Sequence, residues 1–147
     1  SCTYAIGRIE PDFFEKGRNG RFFRIPVYSN TKLALLLFTQ EFAERLQDKD
    51  ITINASDPGI VSTNMITMQA WFDPLTDILF RPFIKTPAQG AATAIHLALS
   101  DEAKDRNGCC YANCKKRNVS ERIRHHAQQK QLWDDTEILL RQKGIRF

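Results

Sequence analysis

The sequence predicts an α/β fold built on a parallel sheet, and three stretches carry that expectation. "KLALLLFTQEFAERL", residues 32–46, reads as a buried helix, and "ITINAS", residues 51–56, reads as a strand directly after it. "TPAQGAATAIHLALS", residues 86–100, reads as a second helix ahead of a short apolar run. A helix, a short turn and a strand make half of a βαβ repeat, and such repeats build a parallel sheet with helices on its faces.

Taken in order, residues 4–26 hold Gly7, Pro11, Gly17, Gly20 and Pro26 among charges and paired phenylalanines, so they read as a long irregular connection. Loops of that length are uncommon in compact domains and are often functional. The helix from Lys32 carries apolar residues around most of its circumference in its first half, which requires burial on several sides. After the charged turn Gln47-Asp48-Lys49-Asp50, Ile51 and Ile53 alternate with polar neighbours, and Asp57-Pro58-Gly59 ends the strand sharply. From Met65 to Phe83 the chain carries Met68, Trp71, Phe72, Leu75, Ile78, Leu79, Phe80 and Phe83 around Pro74 and Pro82. Two readings of residues 65–83 stand side by side, plain core and a mobile cover over an apolar ligand. Thr86 is placed to cap the second helix, with Pro87 at its first position. Asn107-Gly108 turns the chain into an expected strand, Cys109 to Ala112. A last amphipathic helix is expected from about Ser120 to Arg141, with Ile123, Ala127, Leu132, Trp133, Ile138 and Leu139 on its apolar positions.

The 147 residues, 42% of them hydrophobic, suffice for one domain with a real core. The pI is near 9.0, yet 21 basic residues against 17 acidic ones leave a surplus of only +4, scattered along the chain. A nucleic-acid-binding face shows a clustered basic stripe, so no nucleic-acid partner is expected. The densest basic run, Lys115-Lys116-Arg117 followed by Arg122, Arg124, His125 and His126, reads as a solvated loop and helix start. Cys2, Cys109, Cys110 and Cys114 form no C-x-x-C pair, so no metal site is expected and the thiols are read as free. No stretch of eighteen apolar residues occurs. The chain opens "SCTYAIG", without an initiator Met, as though cut from a longer sequence.

One short stretch carries chemistry. In "YSNTK", Tyr28 and Lys32 stand four apart at the start of the apolar helix, and positions i and i+4 lie on one helical face. A tyrosine ordinarily titrates near about 10, too high for a base at neutral pH, and an ammonium beside it favours the phenolate. Such a pair can move protons; it can equally be a surface tyrosine near a surface lysine. Context favours the first reading, because the helix feeds a strand whose Pro-Gly turn and following Val61, Ser62 and Thr63 would lie at the carboxyl end of a parallel sheet. Ligands of open α/β sheets bind there.

With these residues in hand, the sequence resembles the C-terminal half of the short-chain dehydrogenase/reductase family. "YSNTK" looks like the family's active-site Y-x-x-x-K, and "INASDPGIVSTNM" like the strand and turn that meet the nicotinamide end of the cofactor. The helix style, "RPFIKTPAQGAAT" and the late "LWDDTE" are similar to the branch of the retinol dehydrogenases and the WW-domain-containing oxidoreductase. The resemblance covers essentially all 147 residues. It implies the C-terminal portion of a Rossmann-like doubly wound parallel sheet, as a single partial domain, with the N-terminal nucleotide-binding half absent.

It also implies roles. Tyr28 would be the general acid/base; Lys32 would assist it and hydrogen-bond the nicotinamide ribose. Ser1 matches the family serine that holds the substrate oxygen, with "CTYAIGRI" fitting the positions after it and residues 4–26 as the branch's usual insertion. Pro58, Gly59, Val61 and Thr63 would line the nicotinamide pocket, Thr63 at the carboxamide. Residues 65–83 would cover the substrate, with Met65, Met68, Trp71 and Phe72 against a hydrophobic alcohol or carbonyl. The cofactor would be NAD or NADP. A homodimer, and membrane association of a parent protein on its cytoplasmic side, are both compatible with the resemblance, as is a cytoplasmic location.

The sequence also departs from the family. It has no G-x-x-x-G-x-G turn, no residue to read the adenosine ribose, no N-N-A-G segment and no active-site asparagine from the preceding helix. A glycine-rich turn leading into a helix is what cradles a dinucleotide pyrophosphate. The chain by itself is therefore expected to be inactive and to fold poorly, with an open sheet edge. The alternative is a truncated or degenerate isoform that acts as an interaction protein.

Overall fold

The computed structural model describes residues 6–10, 13–14, 24–61 and 84–145. Their elements, in chain order, are α1 (Arg24–Arg45), β1 (Ala55–Asp57), α2 (Pro87–Leu99), α3 (Asp101–Lys104), β2 (Cys110–Ala112), β3 (Lys115–Arg117), α4 (Glu121–Arg124) and α5 (Gln129–Gln142).

Helix α1 begins earlier than expected, so residues 24–26 of the anticipated 4–26 loop are helical. Pro26 is compatible with that, since the first-turn amides of a helix have no intrahelical acceptor to lose. Leu33, Leu36 and Leu37 are buried along one flank of α1. They pack with Cys110, Val119, Ile123 and Leu132 as the hydrophobic core. Fully burying a leucine side chain contributes roughly 1.5–3 kcal/mol, so this flank decides where α1 sits. Its last turns lie on α5, where Phe38 stacks on Trp133 at 4.8 Å and Arg45 covers the other part of the indole at 4.6 Å. The buried Glu41 carboxylate is held there by Arg45 at 2.9 Å and by Gln129 at 3.1 Å.

The sheet is small and mixed, in the order β1-β2-β3. β1 and β2 run parallel, with Ala55 opposite Cys110 and Asp57 opposite Ala112. That is the expected crossover arrangement. β3 was not expected: it pairs antiparallel to β2, Cys110 opposite Arg117. Asn113 and Cys114, at φ 53° and 58°, form the two-residue turn between them, the left-handed pair that suits a tight hairpin. The basic run read as a solvated loop is thus an edge strand, with exposed lysines that discourage further pairing.

β1 is also shorter than the expected 51–56. Side-chain amides replace the ladder before it: Asn107 Oδ1 accepts the Ile53 amide at 2.9 Å, and Asn54 Oδ1 accepts the Cys109 amide at 2.9 Å. β2 is covered on both sides. Cys110 faces the α1 core, and Tyr111, pointing the other way, is 1% exposed with its ring 6.2 Å from that of His96 on α2. Helix α2 starts as expected, with Thr86 and Gln89 closing a reciprocal capping box and Pro87 in the first turn. The expected single helix from Ser120 to Arg141 is instead two, α4 and α5, broken at residues 125–128. There the Gln128 amide donates to His126 Nδ1 at 3.2 Å, a side-chain contact in place of a helical carbonyl.

Candidate active site

Tyr28 and Lys32 stand one turn apart on α1, the lysine ammonium 5.1 Å from the centre of the tyrosine ring. Both line a cleft of about 140 Å³ together with Leu35, Leu36, Ala55, Ser56, Asp57, Pro58, Gly59 and Cys110. The Pro58-Gly59 turn follows the carboxyl end of β1, so the helix brings its phenol and ammonium to the end of the parallel strands where ligands of such sheets bind. Tyr28 is 42% exposed, open on its outer side.

The residues between the pair hold neighbouring chain. Ser29 is fully buried, and Asn30 Oδ1 accepts the Arg8 amide at 2.8 Å, tying residues 7–9 to the first turns of α1. Thr31 donates its hydroxyl to the Tyr28 carbonyl at 2.7 Å. In "YSNTK" the two ends therefore line the cleft, while Ser29 and Asn30 face the approaching chain at Gly7 and Arg8.

Gly59 has φ +76°, a conformation that other residues rarely adopt, and a Cβ there would meet Lys85 Nζ at 3.2 Å. Asp57, 4% exposed, accepts the Gly59 amide on Oδ1 at 2.9 Å and Arg117 Nη1 on Oδ2 at 3.2 Å. Burial raises the Asp57 pKa, and the donors and cations around the carboxylate, Gly59 and Arg117 among them, outweigh it and leave it below the usual value. Cys110 also reaches the cleft. Burial and then the nearby Asp57 charge push its pKa up, which keeps it a thiol rather than a nucleophilic thiolate.

Of the residues singled out in the sequence, Tyr28, Lys32, Pro58 and Gly59 come together in this cleft. Val61 does not line it. Val61 bridges Lys85 and lies against α2, its Cγ2 2.6 Å from where a Cβ on Gly90 would stand. Ser1, Thr63, Met65, Met68, Trp71 and Phe72 lie outside the described residues. Asp57 was missed: read only as part of a strand-ending turn, it is the buried acceptor that shapes that turn. An Asp before Pro-Gly is a signal for this, since aspartate accepts from the amide two residues on. A larger hollow of about 440 Å³ opens among Gln40, Glu44, Asn107, Lys116 and His125, at the amino-terminal side of β2. It contains neither Tyr28 nor Lys32. Among the described residues no group of three His, Cys, Asp or Glu could hold a metal, and no helix is long and apolar enough to cross a membrane.

The cleft thus sets a phenol and an ammonium beside a Pro-Gly turn at the end of a parallel strand. The short chain dehydrogenase family model matches residues 16–71, which span the Tyr28–Lys32 pair and the Pro58-Gly59 turn. Over these residues the chain matches the short-chain dehydrogenase/reductase family. Among its relatives, retinol dehydrogenase 12 of Mus musculus is 36% identical over 147 residues, all of this chain and 45% of that protein. Retinol dehydrogenase 14 of Homo sapiens is 36% identical over 116 residues, 77% of this chain and 34% of its own. The WW domain-containing oxidoreductase of Drosophila melanogaster is 32% identical over 120 residues, 82% of this chain and 29% of its own. The chain spans less than half the length of these curated relatives.

Proposed function

We propose that the chain is the catalytic C-terminal portion of an NAD(P)-dependent dehydrogenase/reductase that interconverts a hydrophobic alcohol and its carbonyl, a retinol-like compound being the class its relatives' names suggest. The observation that carries this reading is the shared cleft of Tyr28, Lys32, Pro58 and Gly59. Its residues would serve the nicotinamide end of the cofactor, since the 147 residues hold no glycine-rich turn for the pyrophosphate.

NAD(P)(H), when bound, supplies or accepts the hydride. Tyr28 handles the proton: in reduction its hydroxyl gives one to the carbonyl oxygen, and in oxidation its phenolate takes one from the alcohol. Lys32, one turn along the same helix, would hydrogen-bond the nicotinamide ribose. Pro58 and Gly59 would wall the ring, Thr63 would hold the carboxamide, Ser1 would hold the substrate oxygen, and Met65, Met68, Trp71 and Phe72 would cover an apolar substrate. Since the 147 residues hold no glycine-rich phosphate turn, the chain by itself is inactive.

Fluorescence titration with NADH and NADPH tests this, using the chain and a version extended upstream by a nucleotide-binding half. Binding by the extended form alone is the expected result. Binding by neither would overturn the reading in favour of a non-catalytic interaction protein.

A further inference from the structure

Neither Pro58 nor Gly59 has a side-chain hydrogen-bonding group to anchor its turn to the rest of the fold, yet the turn is one wall of the cleft. Two braces reach it, and both come from the β2–β3 hairpin. On the inner side, Arg117 of β3 donates to Asp57 Oδ2 at 3.2 Å, while the other oxygen of that buried carboxylate accepts the Gly59 amide at 2.9 Å. On the outer side, Lys85 lies over Gly59 and donates its ammonium to Asn113 Oδ1 at 2.6 Å, in the hairpin turn. The Lys85 backbone closes the loop by donating to the Ile60 carbonyl at 2.8 Å. The hairpin turn is itself held, because the Cys114 amide donates to Thr93 Oγ1 on α2 at 3.2 Å. Two contacts separated by 60 and 28 residues in sequence therefore converge on one short wall.

We propose that the β2–β3 hairpin positions the Pro58-Gly59 wall, Arg117 acting through Asp57 and Asn113 through Lys85, and so sets how tightly the cleft holds the dinucleotide. Arg117 and Asn113 are positioning residues. Removing the Arg117 guanidinium takes a donor from Asp57 Oδ2 and so loosens the carboxylate that accepts the Gly59 amide. Removing the Asn113 acceptor frees the Lys85 ammonium to solvent and lifts its stem from Gly59. This inference rests on the dehydrogenase reading above.

The test uses the full-length polypeptide carrying these residues, with Arg117→Met and Asn113→Gly as the disrupting changes. Glycine keeps the left-handed turn while deleting the acceptor, so that variant preserves the hairpin. Arg117→Lys and Asn113→Asp are the conservative partners. NADH and NADPH affinity and hydrogen exchange at the Gly59 amide are read well below the melting temperature. Each disrupting change is expected to weaken dinucleotide binding about tenfold and to speed Gly59 exchange by a similar factor, with recovery in the conservative variants. Lower melting temperatures with unchanged affinity and exchange would overturn the proposal, leaving the hairpin a stability element only. A wild type that binds neither dinucleotide would instead contradict the dehydrogenase reading and with it the hairpin's role in affinity, and Gly59 exchange would then show whether the braces hold the wall.

Discussion

The Lys32 ammonium lies 5.1 Å from the centre of the Tyr28 ring, one turn along α1, and both residues border the cleft closed by Pro58 and Gly59. A cation over a ring face is attracted by its quadrupole, which fixes the lysine near the phenol before any ligand arrives. Lys32→Ala should therefore lower both dinucleotide affinity and turnover of the full-length polypeptide, each by about 10-fold to 100-fold, the scale of a lost charge-assisted hydrogen bond. Measured Kd and kcat that both stay at wild-type values would leave the pair as surface decoration.

Gly59 is the tightest point of the wall. Its φ of +76° and the Lys85 stem 3.3 Å from a would-be Cβ leave little room for a methyl group. Gly59→Ala should cost about 1–2 kcal/mol in urea unfolding, from the left-handed backbone alone, and weaken dinucleotide binding as well. An alanine variant as stable as the wild type would contradict the described turn.

In the core, Leu37 is fully buried on α1. Leu37→Ala should destabilise the fold by about 2–5 kcal/mol through lost burial and the cavity left behind. A loss below half a unit in urea unfolding would place α1 elsewhere.

His126 gives a pH dependence. Burial, and then the Arg122 charge, hold its pKa below the ordinary histidine value, and its Nδ1 accepts the Gln128 amide, which a protonated ring could not do. The unfolded chain takes up the proton first as pH falls, so the stability this site contributes is present above about pH 6.5 and is lost as pH falls through the folded-state value. His126→Gln should flatten the decline of the urea midpoint between about pH 7 and about pH 5. An equally steep decline in the variant would show that other groups drive it.

Much of this arrangement is legible in the sequence where one signal suffices. The apolar density of α1, the Thr86-Pro87-Gln89 start of α2 and the Asn107-Gly108 turn each act locally, and each element appears close to its expected place. So does the convergence of Tyr28, Lys32, Pro58 and Gly59, because helical spacing and the strand end determine it. The misses are tertiary. Lys115-Lys116-Arg117 shows no apolar alternation and is a strand only because β2 lies beside it. At residues 53–54 the side chains of Asn54 and Asn107 take over part of the backbone pairing. The helix break at residues 125–128 follows Ala127 into solvent, although the apolar spacing runs on past it. Asp57 and Arg117 are 60 residues apart, and no pattern in the chain announces their pairing.

The most direct test of the central claim is Tyr28→Phe in the full-length polypeptide, measured as hydride transfer at saturating dinucleotide. The expected result is a loss of about 10²-fold to 10⁴-fold in rate, the scale of general acid–base catalysis, with dinucleotide affinity nearly intact. Turnover that survives the loss of the phenolic hydroxyl would contradict the assignment of Tyr28 as the proton donor and acceptor.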